Sequence, residues 1–310
     1  MPALLRTRPA ATAIVAFAAA LWGTDALFRR PLAHSIGVST IVFGEHAVLV
    51  LVALPFMLPS LRAVARLGWR YLLAAVVIGA GASALATILF TQAFVDGDPV
   101  TPVVIQKIQP IVAVLAARLV LGERPRQRFA WYLLPALAGT WLMAFPSPSH
   151  LDTRGALLPA LYAVAAAVLW ALGTVLGRYL SRVLPFQQVT ALRFAFGLPA
   201  SAVALVVLGQ PAVASAHDSL WIAVLALVTG AIALSLYYFG LRNTPAVAAT
   251  IAELAFPVTA AIVGYLAFGA RLTSTQWAGV AVTTLVVALL PARPRGTVVL
   301  PATVPAAAAA

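Results

Sequence analysis

Apolar residues in this chain run in blocks too long and too uniform for the two-residue alternation of a half-buried strand or the three-to-four spacing of a helix with one wet face. Ten such blocks occur, at about residues 12–29, 38–58, 71–95, 100–121, 128–145, 156–178, 187–208, 219–241, 246–268 and 275–291. A helix needs roughly 20 apolar residues to cross a ~30 Å hydrocarbon layer, so each block predicts one membrane-spanning helix. Polar and helix-breaking residues are confined to short joints such as "DGDP" (96–99), "GERPRQR" (122–128), "PSPSHLDTRG" (146–155) and "RNTP" (242–245). The fourth block departs from its own pattern: "IQKIQP" at 105–110 sets a lysine, two glutamines and a proline among apolar neighbours.

The blocks repeat. "LW" at 21–22 returns at 169–170, "GASAL" at 81–85 answers "GAIAL" at 230–234, and "ARLVLGERPRQRFAW" (117–131) aligns with "GYLAFGARLTSTQWA" (264–278). Pro110 and Pro257 lie 147 residues apart, and the offset stays between about 146 and 149 along the chain. Five spans per copy is an odd number, so the second copy must enter the membrane from the opposite side. The expected fold is an all-α membrane protein of ten transmembrane helices in a 5+5 inverted-topology repeat, with substrate held near the midplane between the copies. The first copy covers 12–145 and the second 156–291, joined by a linker at 146–155. Residues 1–11 form a cytoplasmic lead, and the Pro/Ala-rich residues 292–310 are expected to be a disordered cytoplasmic tail.

Composition strengthens the membrane reading: 63% of the 310 residues are hydrophobic, 9% are charged, and the mean hydropathy is +1.00. The net charge of +12 does not indicate nucleic acid, because the arginines are scattered singly between apolar spans. With the N-terminus inside, thirteen arginines face the cytoplasm, whereas four (Arg29, Arg30, Arg154 and Arg271) face outward. Both termini are therefore expected in the cytoplasm, in a bacterial-type inner membrane. The opening segment has the arginines and apolar core of a signal peptide, but the run continues to Phe28, so a first membrane helix is expected. The absence of cysteine excludes thiol catalysis and Cys-ligated metals.

The stretches "QAFVDGDPVTPVVIQKIQPIVAVLAARLVLGER" (92–124) and "YYFGLRNTPAVAATIAELAFPVTAAIVGYLAFGARLTSTQWAG" (237–279) resemble two copies of the EamA domain. Tandem EamA domains are similar to the drug/metabolite transporter superfamily, over about residues 12–291. The resemblance implies a ten-helix secondary carrier, and the aromatic, weakly charged interior is most similar to YddG-type amino-acid exporters. The glutamate of the family's "LGE" is present as Glu123, but the second copy has Ala270 in its place. That departure points to a structural, helix-end role for Glu123.

Candidate chemistry lies at matching depths. A rise of ~1.5 Å per residue puts Glu45 and Lys107 about 10 Å below the outer edge, with Asp25 at a similar level and Glu253 and Arg193 about 10 Å above the inner edge. A charge at the bilayer centre costs at least ~2.5–3.5 kcal/mol, so Glu45 with Lys107 and Arg193 with Glu253 are expected as two pseudo-symmetric ion pairs. They either fasten helices or meet substrate and protons. Pro110 and Pro257 are expected to kink helices 4 and 9 and, with Gln106 and Gln109, to make a polar cavity wall. Trp22, Trp170, Tyr237 and Tyr238 supply aromatic surface, whereas Trp69, Trp131, Trp221 and Trp277 near span ends read as interfacial anchors. Gln92 joins the candidate set, as does His46, which is either titratable or a buried neutral imidazole satisfied by a neighbour. Gly79, Gly81 and Gly230 read as close helix packing.

The resulting expectation is export of a small amphipathic metabolite, an aromatic or hydrophobic amino acid, with a drug or another metabolite of the same superfamily as the alternative, and with no cofactor and no metal. Proton coupling and facilitated diffusion both remain open. An intramembrane enzyme is disfavoured by the absence of HExxH and GxSxG, and an ATP-driven pump by the absence of a phosphate-binding loop. A channel lacks a filter sequence.

Overall fold

A computed structural model describes residues 8–96, 105–123, 125, 129–144 and 157–290. The joints and the tail expected at 97–99, 146–155 and 292–310 fall outside the described residues, as does the side chain of Lys107. Every regular element among the described residues is helical. Seven helices are long and apolar enough to cross a membrane: α1 (Ala10–Ser35), α2 (Val38–Leu67), α3 (Trp69–Ala93), α6 (Leu157–Ser181), α7 (Phe186–Val207), α8 (Ala216–Leu241) and α9 (Ala246–Phe268). Three shorter apolar helices, α4 (Gln109–Leu121), α5 (Ala130–Ala144) and α10 (Ser274–Leu289), occupy the remaining expected positions. Large apolar side chains such as Leu119, Trp131, Val206 and Leu266 point outward at 75% exposure or more, the arrangement that acyl chains as solvent require.

Packing between the copies is reciprocal. Helix α1 packs on α8 as α6 packs on α3, α4 packs on α6 as α9 packs on α1, and α7 packs on α3 as α2 packs on α8. The pairs α2–α7, α4–α9 and α5–α10 map onto themselves, as a two-fold relation between copies requires. The helix ends agree: Gly122 and Gly269, 147 residues apart, both adopt left-handed φ values, 66° and 64°. In each case the next amide bonds back six residues, Glu123 N to Ala117 O (3.2 Å) and Ala270 N to Gly264 O (3.0 Å). The glycine of "LGE" and "FGA" is thus the helix stop.

Four helices are irregular where they face the interior. α3 widens to π geometry over Val77–Leu85 and α8 over Ala226–Ile232, positions 149 residues apart at their starts. The small residues of the α3 segment permit close approach as expected: a Cβ on Gly79 would lie 2.6 Å from the Arg193 carbonyl oxygen of α7. α4 is preceded by a 3-10 turn at Gln106–Ile108, and α9 breaks between its segments Ala246–Ala252 and Ala255–Phe268. Pro110 and Pro257 occupy the first turns of the segments that follow, so the backbone breaks ahead of each ring, around the carbonyl four residues earlier. Those carbonyls, of Gln106 and Glu253, accept from residues 109 and 256, three positions on. α1 also breaks, at Gly23 and Thr24, a feature the apolar pattern did not predict.

Candidate functional site

The irregular segments converge on one cavity of about 700 Å³, lined by α1–α4 and α6–α9, with α5 and α10 standing outside it. Its walls carry two aromatic pairs. Trp22 of α1 meets Tyr237 of α8, with ring centroids 5.0 Å apart, and Trp170 of α6 meets Phe90 of α3 at 4.9 Å. The pairs occupy reciprocal contacts of the two copies, so flat apolar surface lies on both sides of the space. The π segments anchor this wall. Widening a helix frees carbonyls from the i−4 ladder, and those of Thr229 and Ala82 accept from the Trp22 indole (3.0 Å) and the Arg193 guanidinium (3.2 Å).

Among the expected site residues, Asp25, Glu45, His46, Gln106, Gln109, Arg193 and Glu253 also line the cavity, as do Pro110 and Pro257. Tyr238 does not; it is fully buried behind the wall, where its hydroxyl accepts from Arg193 at 3.0 Å. Gln92 is likewise absent from the lining. His46 is buried, with Nδ1 2.7 Å from Val42 O and Nε2 3.1 Å from Ser83 Oγ. A carbonyl can only accept, so Nδ1 carries a proton, and both ring nitrogens have a partner within hydrogen-bond distance.

Of the two expected ion pairs, Glu45 with Lys107 falls on a side chain outside the described residues, and Arg193 with Glu253 is not formed. Glu45 pairs with Arg29, whose guanidinium donates to Glu45 at 2.9 and 3.0 Å and to Asp25 at 2.6 and 2.9 Å. Arg29 therefore belongs to the interior instead of the outer face, because the break at Gly23 starts a new helix at Asp25 and sets Arg29 one turn along on the same side. Its one sequence signal was the i, i+4 spacing from Asp25, which was outweighed by its place at the end of an apolar block. Arg193 and Glu253 do not meet directly; tandem tyrosines stand between them. Arg193 reaches Tyr238 and the Ser83 hydroxyl (3.1 Å), while Glu253 accepts from Tyr237 (2.6 Å), Thr174 (2.9 Å) and Gln109 (3.1 Å). Thr174, Ser83 and Phe90 were missed because a lone hydroxyl or aromatic in an apolar block has no periodic signature.

A second charged cluster lies away from the cavity. Glu123 accepts from Arg182 at 3.0 Å and from the Ala246 amide that opens α9 at 2.8 Å, with Arg178 Nε 3.7 Å away. Arg178 also donates to the carbonyls of Leu241 and Arg242 at the end of α8. Glu123 thus ties the first copy to the second at a helix end, the structural role its absence from the second copy suggested.

Comparison with known proteins assigns the architecture. The model of the EamA-like transporter family matches residues 10–145 and again 157–291. The chain is similar to the riboflavin transporter ImpX of Fusobacterium nucleatum subsp. nucleatum, at 29% identity over 275 residues, covering 85% of this chain and 91% of the relative. It is also similar to the uncharacterized transporter YwfM of Bacillus subtilis, at 29% identity over 218 residues, covering 67% and 69%. A solved crystal structure shares the fold, with a TM-score of 0.71 at 20% identity, covering 89% of this chain and 95% of its own. With a family match over both copies and a reciprocal helix bundle around one polar and aromatic cavity, the chain belongs to the EamA-like transporter family.

Proposed function

We propose that this transporter moves a small planar aromatic metabolite by alternating access, with ten spans, both termini cytoplasmic, and the cavity as the midplane binding chamber of a bacterial inner membrane. The observation that carries this reading is the pair of facing aromatic contacts, Trp22–Tyr237 and Trp170–Phe90, beside Arg193. Stacked or edge-on rings attract a flat π system. Arg193 has only neutral partners among the described residues, so it can present its charge to a carbonyl-rich edge. A flavin fits that description, and the relative named a riboflavin transporter puts riboflavin first among candidates.

A second reading, an aromatic amino acid, is favoured by the same Arg193, which suits a carboxylate bidentately. Counterflow in proteoliposomes separates the two. Vesicles preloaded with unlabelled riboflavin should accumulate labelled riboflavin and ignore tryptophan and phenylalanine, whereas the reverse preference would replace the flavin reading with the amino-acid one. Exchange of neither class would overturn the proposal.

A further inference from the structure

We propose that Glu253 is the site at which this carrier takes up and returns one proton per transport cycle, an inference that rests on the transporter reading but not on the substrate. Its carboxylate lies in the cavity wall, and its three partners, Tyr237 Oη, Thr174 Oγ1 and Gln109 Nε2, are all neutral. The other acids of the helical bundle are differently placed: Asp25 and Glu45 share Arg29, and Glu123 holds Arg178 and Arg182. Among the described residues, Glu253 alone of these faces the cavity without an ion pair. A carboxylate in a low-dielectric wall is stabilised either by a counter-ion or by a proton.

The hydrogen-bond network accommodates both states. With Glu253 ionised, Thr174 and Tyr237 donate to it. The Thr174 hydroxyl also lies 3.3 Å from the Trp170 carbonyl, and the Tyr237 hydroxyl 3.2 Å from Thr174 Oγ1. When a proton arrives on the carboxylate from cavity water, the carboxyl O–H can donate to Thr174 Oγ1 while the Thr174 proton turns to Trp170 O. No buried group is then left without a partner, and loss of the proton reverses the same rotation. Among the described side chains, the other charged or titratable groups on the elements packed around Glu253 have partners or apolar surroundings of their own. Tyr238 of α8 is bound to Arg193 of α7, Asp25 and Arg29 of α1 hold each other, and Tyr132 of α5 packs in the apolar cluster with Ile251 and Leu254. Lys107 lies on the 3-10 turn of Gln106–Ile108.

Glu253 is also a hinge residue. Its carbonyl accepts from the Phe256 amide at 3.0 Å across the break in α9, so the charge sits where the helix bends. The repeat-equivalent residue at the matching break is Gln106, 147 positions earlier, a neutral isostere. One copy therefore carries a proton-accepting hinge and the other does not, which gives a stoichiometry of one. It also shows that a glutamine is compatible with this backbone.

Two measurements on the full chain test this. Infrared difference spectra of wild type against Glu253→Gln should show a protonated-carboxyl stretch that disappears as pH is raised; its absence at every pH overturns the proposal. In proteoliposomes with the membrane potential clamped, a gradient of one pH unit should hold labelled riboflavin about tenfold out of balance. Glu253→Gln should relax that ratio to one, and a Glu253→Gln carrier that still holds substrate out of balance against the pH gradient overturns the proposal. Thr174→Val, which keeps the acid but removes the rotating hydroxyl, should slow gradient-driven flux more than counterflow. A wild-type ratio of one alongside active counterflow refutes coupling and leaves the transporter reading standing. Absence of counterflow with any flavin or aromatic amino acid, alongside a titrating carboxyl band, refutes the substrate reading and supports the proton site.

Discussion

Single side chains in this cavity differ in what they do for the fold and for binding, and substitutions can separate the two. Trp22 presents its ring to Tyr237 and its indole N–H to the Thr229 carbonyl. Trp22→Phe keeps a ring and loses one hydrogen bond, so substrate affinity measured by fluorescence quenching should fall about fivefold, as expected for about 1 kcal/mol. Trp22→Ala, which also loses the ring contact, should cost roughly tenfold or more. Arg29 has the opposite character. It holds Asp25 and Glu45 together in the interior, with side chains 17%, 26% and 10% exposed. Arg29→Gln leaves two carboxylates facing each other without a counter-charge and should destabilise the protein by about 3–5 kcal/mol, read as a lower Tm in detergent. Adding Asp25→Asn and Glu45→Gln should restore most of the loss, because the repulsion disappears with the charges. The place of Trp22 in the cavity wall was legible in the sequence from its repeat to Trp170. The role of Arg29 was not, since a charge at the end of an apolar block reads as a surface residue until the backbone break behind it is known.

Helices in this bundle owe their positions to backbone approach at small residues, and Gly79 and Gly81 of the π segment in α3 make that testable. A Cβ on Gly79 would meet the Arg193 carbonyl oxygen at 2.6 Å and Gly197 N at 3.0 Å, backbone atoms that cannot turn aside. On Gly81 it would meet side-chain atoms alone, the flexible end of Leu169 at 3.1 Å and Val77 at an ordinary 3.8 Å. Gly79→Ala should therefore separate α3 from α7 and cost about 1–3 kcal/mol, whereas Gly81→Ala, two residues along the same segment, should leave the thermal midpoint nearly unchanged. At this scale the sequence carried much of the fold. Block length located the helices, and the prolines at 110 and 257 marked where α4 and α9 depart from regular geometry. The π segments could not be read in advance. Wide and regular helices bury the same small residues, and only the partner across the contact, Arg193 for one and Trp22 for the other, shows which carbonyls have been freed.

Across the whole molecule the two copies are nearly equivalent in packing and unequal in charge, and the inequality predicts which side of the carrier is held shut. At one end Glu123 holds Arg178, Arg182 and the α9 amide of Ala246. An offset of 148 maps Arg178 onto Arg30 and Arg182 onto His34, while an offset of 147 maps Ala270 onto Glu123. The equivalent end therefore has the basic positions without the acid, and the Arg30 guanidinium lies 4.8 Å from the centre of the Phe268 ring instead. In a carrier that alternates between two openings, the end with the ion cluster is the costlier to open. Glu123→Gln should shift the equilibrium toward opening there, and Ala270→Glu should add a closing contact at the other end and shift it the same way. Because the chain has no cysteine, a single Thr91→Cys in the cavity lining serves as the reporter, with a membrane-impermeant maleimide applied from one side or the other. A coupling of about 1.4 kcal/mol corresponds to a tenfold change in the ratio of labelling rates. Each substitution should raise labelling from the Glu123 side relative to the Arg30 side by about that factor. Unchanged ratios would mean that the cluster only fastens helices together and that the asymmetry of the repeat has no bearing on which way the cavity faces.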